Sequence, residues 1–166
     1  MARHAEYDRD KVVARATAVF WDRGYGKTSI SDLVRATGLQ PGSLYAAFGS
    51  KKGVFLEVLD EYNRSFVREI RHISSQRSSK IDAIRGILER IVDDSVSGKD
   101  RRGCLAVNAL TEMAEHEPDV ARRIEAHNQA VRDGFSALIR EAQADNELPP
   151  GKNPDALAAF LVNNIW

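Results

Sequence analysis

Two short polar runs, Thr28-Ser29 and Gln40-Pro41-Gly42-Ser43, combine hydroxyl and carboxamide groups with a proline and a glycine. Hydroxyls donate to phosphate oxygens, and a carboxamide can pair with a base edge. Gly42 has no side chain, so its backbone can come close to another molecule. Tyr45 adds an exposed phenol beside this run, and the Lys51-Lys52 pair adds two ammonium groups within reach of backbone phosphates. Thr28 and Ser29 also open a helix, where unpaired N–H groups favour an anion. This is chemistry for holding and reading a polyanion.

Three other groups offer chemistry of a different kind. Cys104 follows Arg101-Arg102-Gly103 at a helix start, a setting in which guanidinium groups and the helix dipole favour a thiolate. It is a candidate sensor of oxidants or electrophiles, set against the better supported role of a small apolar packing residue. Glu112 and His116 stand four apart, with His127 on the next helix. Three scattered ligands make a weak metal site, and His127 on an apolar stripe reads as a hydrogen-bonded core residue, so no metal is expected. Phe66, Ile70, Leu88, Leu105, Asn108, Met113, His127 and Val131 are candidates to line a ligand cavity. Asn108 and His127 would be its orienting polar groups. The same residues would also suit an ordinary helical core. No Gly-rich phosphate loop, His-Glu-x-x-His run or nucleophile elbow occurs, so no enzyme and no cofactor are expected.

The elements that must position these residues all read as helices. Asp8 or Asp10 can cap a first helix with Val12, Val13, Ala16, Val19 and Phe20 on one face, ended by Gly24. Thr28 or Ser29 can cap a second through Thr37, with Ser29-x-x-Asp32 as a loose capping box. Gly38 breaks it, and Pro41 suits the first turn of a third through Phe48. Leu33, Leu39, Leu44 and Phe48 are assigned to the inside of this helix-turn-helix pattern. Apolar spacings of three and four predict further helices from Phe55 to Ile73, from Ile81 to near Gly98, around Leu105, Leu110 and Met113, from Pro118 to Ala142, and from Pro154 onward. Residues 74–79 read as a loop. The expected fold class is all-α, with a head at 1–52 and a helical body at 53–166. The chain stops at Trp166 inside an apolar helix, so a C-terminal portion is expected to be missing and a partner is expected to bury that helix.

Composition sets the outer limits. The 166 residues carry 43% hydrophobic and 29% charged side chains, a globular balance. No apolar run approaches the ~20 residues of a membrane span. The charged N-terminus lacks a signal-peptide core and one cysteine makes no internal disulfide, so a cytoplasmic location is expected. Formal net charge is zero, yet residues 1–52 hold nine Lys/Arg against five Asp/Glu. A basic head on an acidic body is the asymmetry expected when only one end meets phosphate.

The run Val12-Val13, Ala16, Val19-Phe20, Gly24-Tyr25, Thr28-Ser29-Ile30, Leu33-Val34, Ala36-Thr37-Gly38-Leu39, Gly42-Ser43-Leu44-Tyr45, Phe48, Lys51-Lys52 and Val54-Phe55 resembles the TetR/AcrR family of bacterial one-component repressors. The match covers about the first third of the chain. It departs at Ala47, where the family often has His or Tyr, which implies one phosphate contact fewer. The resemblance implies a head that binds double-stranded DNA through Thr28, Ser29, Gln40, Pro41, Gly42, Ser43, Tyr45 and Lys51. It further implies a homodimer on a palindromic operator, with half-sites ~34–36 Å apart, and release by a small-molecule inducer held in the body. A redox- or electrophile-sensing repressor acting through Cys104 is the alternative within that class. A helical protein-interaction module without specific DNA binding is the alternative outside it.

Overall fold

The computed structural model of the chain describes residues 7–96, 102–113 and 115–165. Among the described residues there are eight α-helices and no strand: α1 (Arg9–Arg23), α2 (Ile30–Thr37), α3 (Pro41–Phe48), α4 (Lys51–Ser75), α5 (Lys80–Val96), α6 (Leu105–Met113), α7 (Pro118–Ala144) and α8 (Pro154–Ile165). The expected breaks at Gly98 and Trp166, and Arg101 before the cysteine, lie outside the described residues. No described helix is long and apolar enough to cross a membrane.

Local chemistry sets the helix ends. Asp8 caps α1 by accepting the Lys11 N–H at 3.2 Å. Ser29, not Thr28, caps α2, and its box with Asp32 is complete in both directions. Gly38 adopts φ +76°, a left-handed conformation that lets its N–H close on the Val34 carbonyl at 2.9 Å. Helix α4 runs to Ser75, two residues into the stretch expected to be a loop. The Glu147 carboxylate, from the α7–α8 turn, accepts the N–H groups of Lys80 and Ile81 and the Ser79 hydroxyl. Ser79 accepts the Asp82 N–H at 3.2 Å, and a side chain far along the sequence thus joins it in capping α5.

Apolar side chains gather in two cores. The first joins Val13, Ala16 and Phe20 of α1 to Leu33, Leu39, Leu44 and Phe48 of the hairpin and to Val54, Phe55 and Val58 of α4. It continues into Leu105, Ala109 and Met113 of α6 and Val120 and Ile124 of α7. The second joins Ile70 of α4 to Ile87 of α5, Val131, Phe135 and Leu138 of α7, and Ala158 and Val162 of α8. The expected boundary between residues 52 and 53 falls in the first turn of α4, inside the first core. The head therefore shares its interior with α6 and the start of α7. Leu110, expected on the buried stripe of α6, is instead 47% exposed.

Phe20 sits at the centre of the shared core, fully buried and edge-on to Phe55 with ring centroids 4.9 Å apart. Phe20→Ala is expected to cost about 3–5 kcal/mol, read as a lower denaturant midpoint. Because the core is shared, head and body should still unfold in one transition. Two separate transitions would show that the head has a core of its own.

Candidate nucleic-acid interface

The hairpin α2–α3 is held from behind. Leu33 and Leu44 are completely buried, and Leu39 and Phe48 nearly so. The Thr37 hydroxyl donates to the Leu33 carbonyl at 2.7 Å and accepts the Leu39 N–H at 3.3 Å. The Arg15 guanidinium reaches the Thr37 carbonyl at 3.2 Å. The turn between the helices is therefore fixed at both of its polar ends. The opposite edge faces solvent. Gln40 is exposed and makes no capping bond with its side chain, Pro41 fills the first turn of α3, and Gly42 is exposed. A Cβ at Gly42 would meet nothing within 4 Å, so the protein's own packing does not require glycine there. Ser43 is half-buried, and Tyr45 projects with 48% of its surface exposed.

Ser29 is exposed at the start of α2 and bonded into the box with Asp32. The Ser29 hydroxyl, its N–H, and the flanking Arg23 and Arg35 hold the Asp32 carboxyl below the usual carboxylate range. Thr28 sits elsewhere than expected. It is 1% exposed and its hydroxyl donates to the Gly24 carbonyl at 2.7 Å, so that hydroxyl shapes the α1–α2 loop and is turned away from solvent. The Lys51 ammonium also turns inward. It donates to the carbonyls of Tyr25 at 2.9 Å and Thr28 at 3.0 Å and lies over the Tyr25 ring at 4.1 Å. Lys52 pairs with Glu117 of the body at 3.0 Å. Lys27, exposed at the loop and not singled out by the sequence, adds a cation here.

The body contains a cavity of about 420 Å³ between α1, α4, α5 and the segment before α6. Apolar walls come from Trp21, Phe66, Ile70, Ile73, Ile87 and Ile91, and polar groups from Thr17, Glu61, Tyr62, Ser65, Glu69 and Arg90. Cys104 is in the wall, with the Tyr62 hydroxyl 3.4 Å from its sulfur. Of the expected lining residues, Phe66 and Ile70 are present, and the other six are placed elsewhere. Leu105 and Met113 belong to the first core and Val131 to the second, while Leu88 packs against the second. Asn108 is exposed and donates to the Arg102 carbonyl at 2.7 Å. His127 is buried against Tyr62 and Phe66, with Nδ1 3.4 Å from the Asn63 carboxamide oxygen. Helical spacing identifies buried faces but not which interior each face enters. Trp21 comes from α1, a helix assigned to the head, and Tyr62 stands on α4 one turn before Phe66, where spacing alone does not separate a lining residue from a packed one. The Glu112 carboxylate is bonded to loop N–H groups of the head, and Glu112, His116 and His127 do not come together.

Residues 12–58 match the family model described as bacterial regulatory proteins, tetR family, and residues 81–165 match a tetracyclin repressor-like C-terminal domain. The chain is 30% identical to the transcriptional repressor ComR of Escherichia coli, over 93% of this chain and 74% of that protein. It is 29% identical to the repressor DhaR of a Mycobacterium species, over 93% of this chain and 76% of that protein. Among solved structures, the TetR family regulator CifR, a cysteine mutant bound to 26-base-pair operator DNA, superposes with a TM-score of 0.83 at 33% identity, covering 99% of this chain and 85% of that one.

Burial pushes the His127 imidazole down to about 4 from its ordinary 6.5. The unfolded chain therefore binds a proton that the folded chain refuses, and folding stability falls as pH drops from about 6.5 to about 4. His127→Gln is expected to flatten that part of the thermal-midpoint profile. An unchanged slope would place the acid sensitivity in other groups.

Proposed function

The chain belongs to the TetR family of bacterial regulatory proteins, and on that premise we propose that it is a transcriptional repressor released from a palindromic operator by a small-molecule inducer. The observation that carries the reading is the solvent-facing start of α3, rigid behind and open in front. Gln40 and Ser43 are the base- or phosphate-reaching groups, and Pro41 and Gly42 let the backbone approach the groove. Tyr45 and Ser29 contact phosphates. Lys51 and Thr28 act from behind by fixing the loop that leads into α2. The chain works as a homodimer, and the outward Phe160 of α8, 65% exposed, supports an apolar contact there. The inducer occupies the cavity beside α4 and lowers operator affinity by binding the DNA-incompetent form more tightly.

Fluorescence anisotropy on DNA from the gene's own upstream region, against scrambled DNA at two salt concentrations, tests this reading. The operator should bind more tightly, with affinity falling steeply as salt rises. Tyr45→Ala is expected to weaken binding by about tenfold, the size of one hydrogen bond to a charged group, whereas Gln40 substitutions should change sequence preference. Equal, weak binding to both DNAs would favour the protein-interaction module.

Cys104 in the cavity wall favours a second reading, in which an electrophile is the inducer. N-ethylmaleimide should then release the wild-type protein from the operator, and Cys104→Ser should bind the operator normally and stay bound. Normal release of that variant would end this reading.

A further inference from the structure

The α1–α2 loop presents two neighbouring N–H groups to the body, and one carboxylate takes both. Glu112 Oε2 accepts from Tyr25 at 2.8 Å and Oε1 accepts from Gly26 at 2.6 Å. The loop is shaped for this. A Cβ at Gly24, where φ is +77°, would lie 2.9 Å from Glu112 Oε2, and one at Gly26 would lie 3.0 Å from Oε1. The other polar face of the same loop is held by Lys51 on the carbonyls of Tyr25 and Thr28. A carboxylate on the donors and an ammonium on the acceptors fix the segment that enters α2 two residues later, at Ile30.

We propose that Glu112 is a positioning residue for operator reading, latching the head to α6 of the body. Helix α6 begins directly after Gly103 and Cys104, which line the cavity. Glu112 stands eight residues beyond Cys104, about 12 Å along a helix. The same short helix thus touches the cavity wall at one end and the head at the other. The role rests on the repressor reading, and the test separates the two.

The experiment compares the full chain with Glu112→Ala, Glu112→Gln, Gly26→Ala and the Glu112→Ala/Gly26→Ala double variant. Each is measured for affinity to upstream and scrambled DNA, for amide hydrogen exchange at Tyr25 and Gly26, and for thermal midpoint. Glu112→Ala should speed exchange at both amides and lower upstream-DNA affinity by about tenfold, the size of one charge-assisted hydrogen bond, with scrambled DNA changed less. Glu112→Gln, which keeps one acceptor oxygen, should recover part of the affinity. Gly26→Ala, whose Cβ would press on Oε1 by a few tenths of an ångström, should lower upstream-DNA affinity by less than Glu112→Ala, and should add nothing in its background. Additive losses, or unchanged upstream-DNA affinity in Glu112→Ala, would overturn the latch. A wild-type protein that does not prefer upstream DNA would instead overturn the repressor reading, and the positioning role with it.

Discussion

Two helices of eight residues, α2 and α3, do not hold a shape in water on their own, because nucleation costs more than so few backbone bonds return. Everything that lets this hairpin offer a fixed edge comes from its surroundings. Leu33 and Leu44 are wholly buried against α1 and α4, and those helices are tied by Phe20 and Phe55 to α6 and α7. The shared interior has a consequence for signalling. A displacement of α6 or of the start of α7 cannot leave the head untouched, since the same apolar cluster contains both.

Charge is arranged around that constraint. The surplus of basic residues in the first 52 overstates the positive charge available to a polyanion. Arg23 and Arg35 are engaged by Asp32, Arg9 by Glu57, Lys51 by two carbonyls and Lys52 by Glu117. Exposed ion pairs of this kind add little stability, and the angle at which α1, α2 and α4 meet is carried by their shared apolar core. What remains outward along the start of α3 is neutral and polar: Gln40, Ser43, Tyr45 and the backbone at Gly42.

The parts of the site that were legible in the sequence are those whose physics is local. Ser29-x-x-Asp32, Gly38 and Pro41 define caps and a turn within a few residues of themselves, and helix ends follow from them. Non-local relations were not legible. Glu112 lies 87 residues from Tyr25 in the chain, so no spacing rule connects them. Thr28 looked like an exposed hydroxyl because residue type does not reveal that Gly24 offers its carbonyl from the preceding turn. Leu105, Met113 and Val131 were correctly buried but assigned to a cavity, because apolar periodicity is identical for a residue facing a void and one facing another side chain.

The cavity lies between the two cores and takes its walls from both sides of the molecule. Phe66 and Ile70 line the cavity from α4, and Ile70 also belongs to the second core, while Trp21 reaches it from α1 and donates to the Gly103 carbonyl at 2.9 Å. The void is therefore bounded by the helix that joins the cores, by the head's first helix and by the segment that leads into α6. A close-packed interior does not deform continuously. A molecule that fits the void only when α4 or the Gly103–Cys104 segment shifts must move a rigid helix, and α4 and α6 each carry a group that holds the loop into α2, Lys51 and Glu112. Ligand binding and hairpin placement then draw on one set of contacts, which is the physical requirement for coupling between two sites.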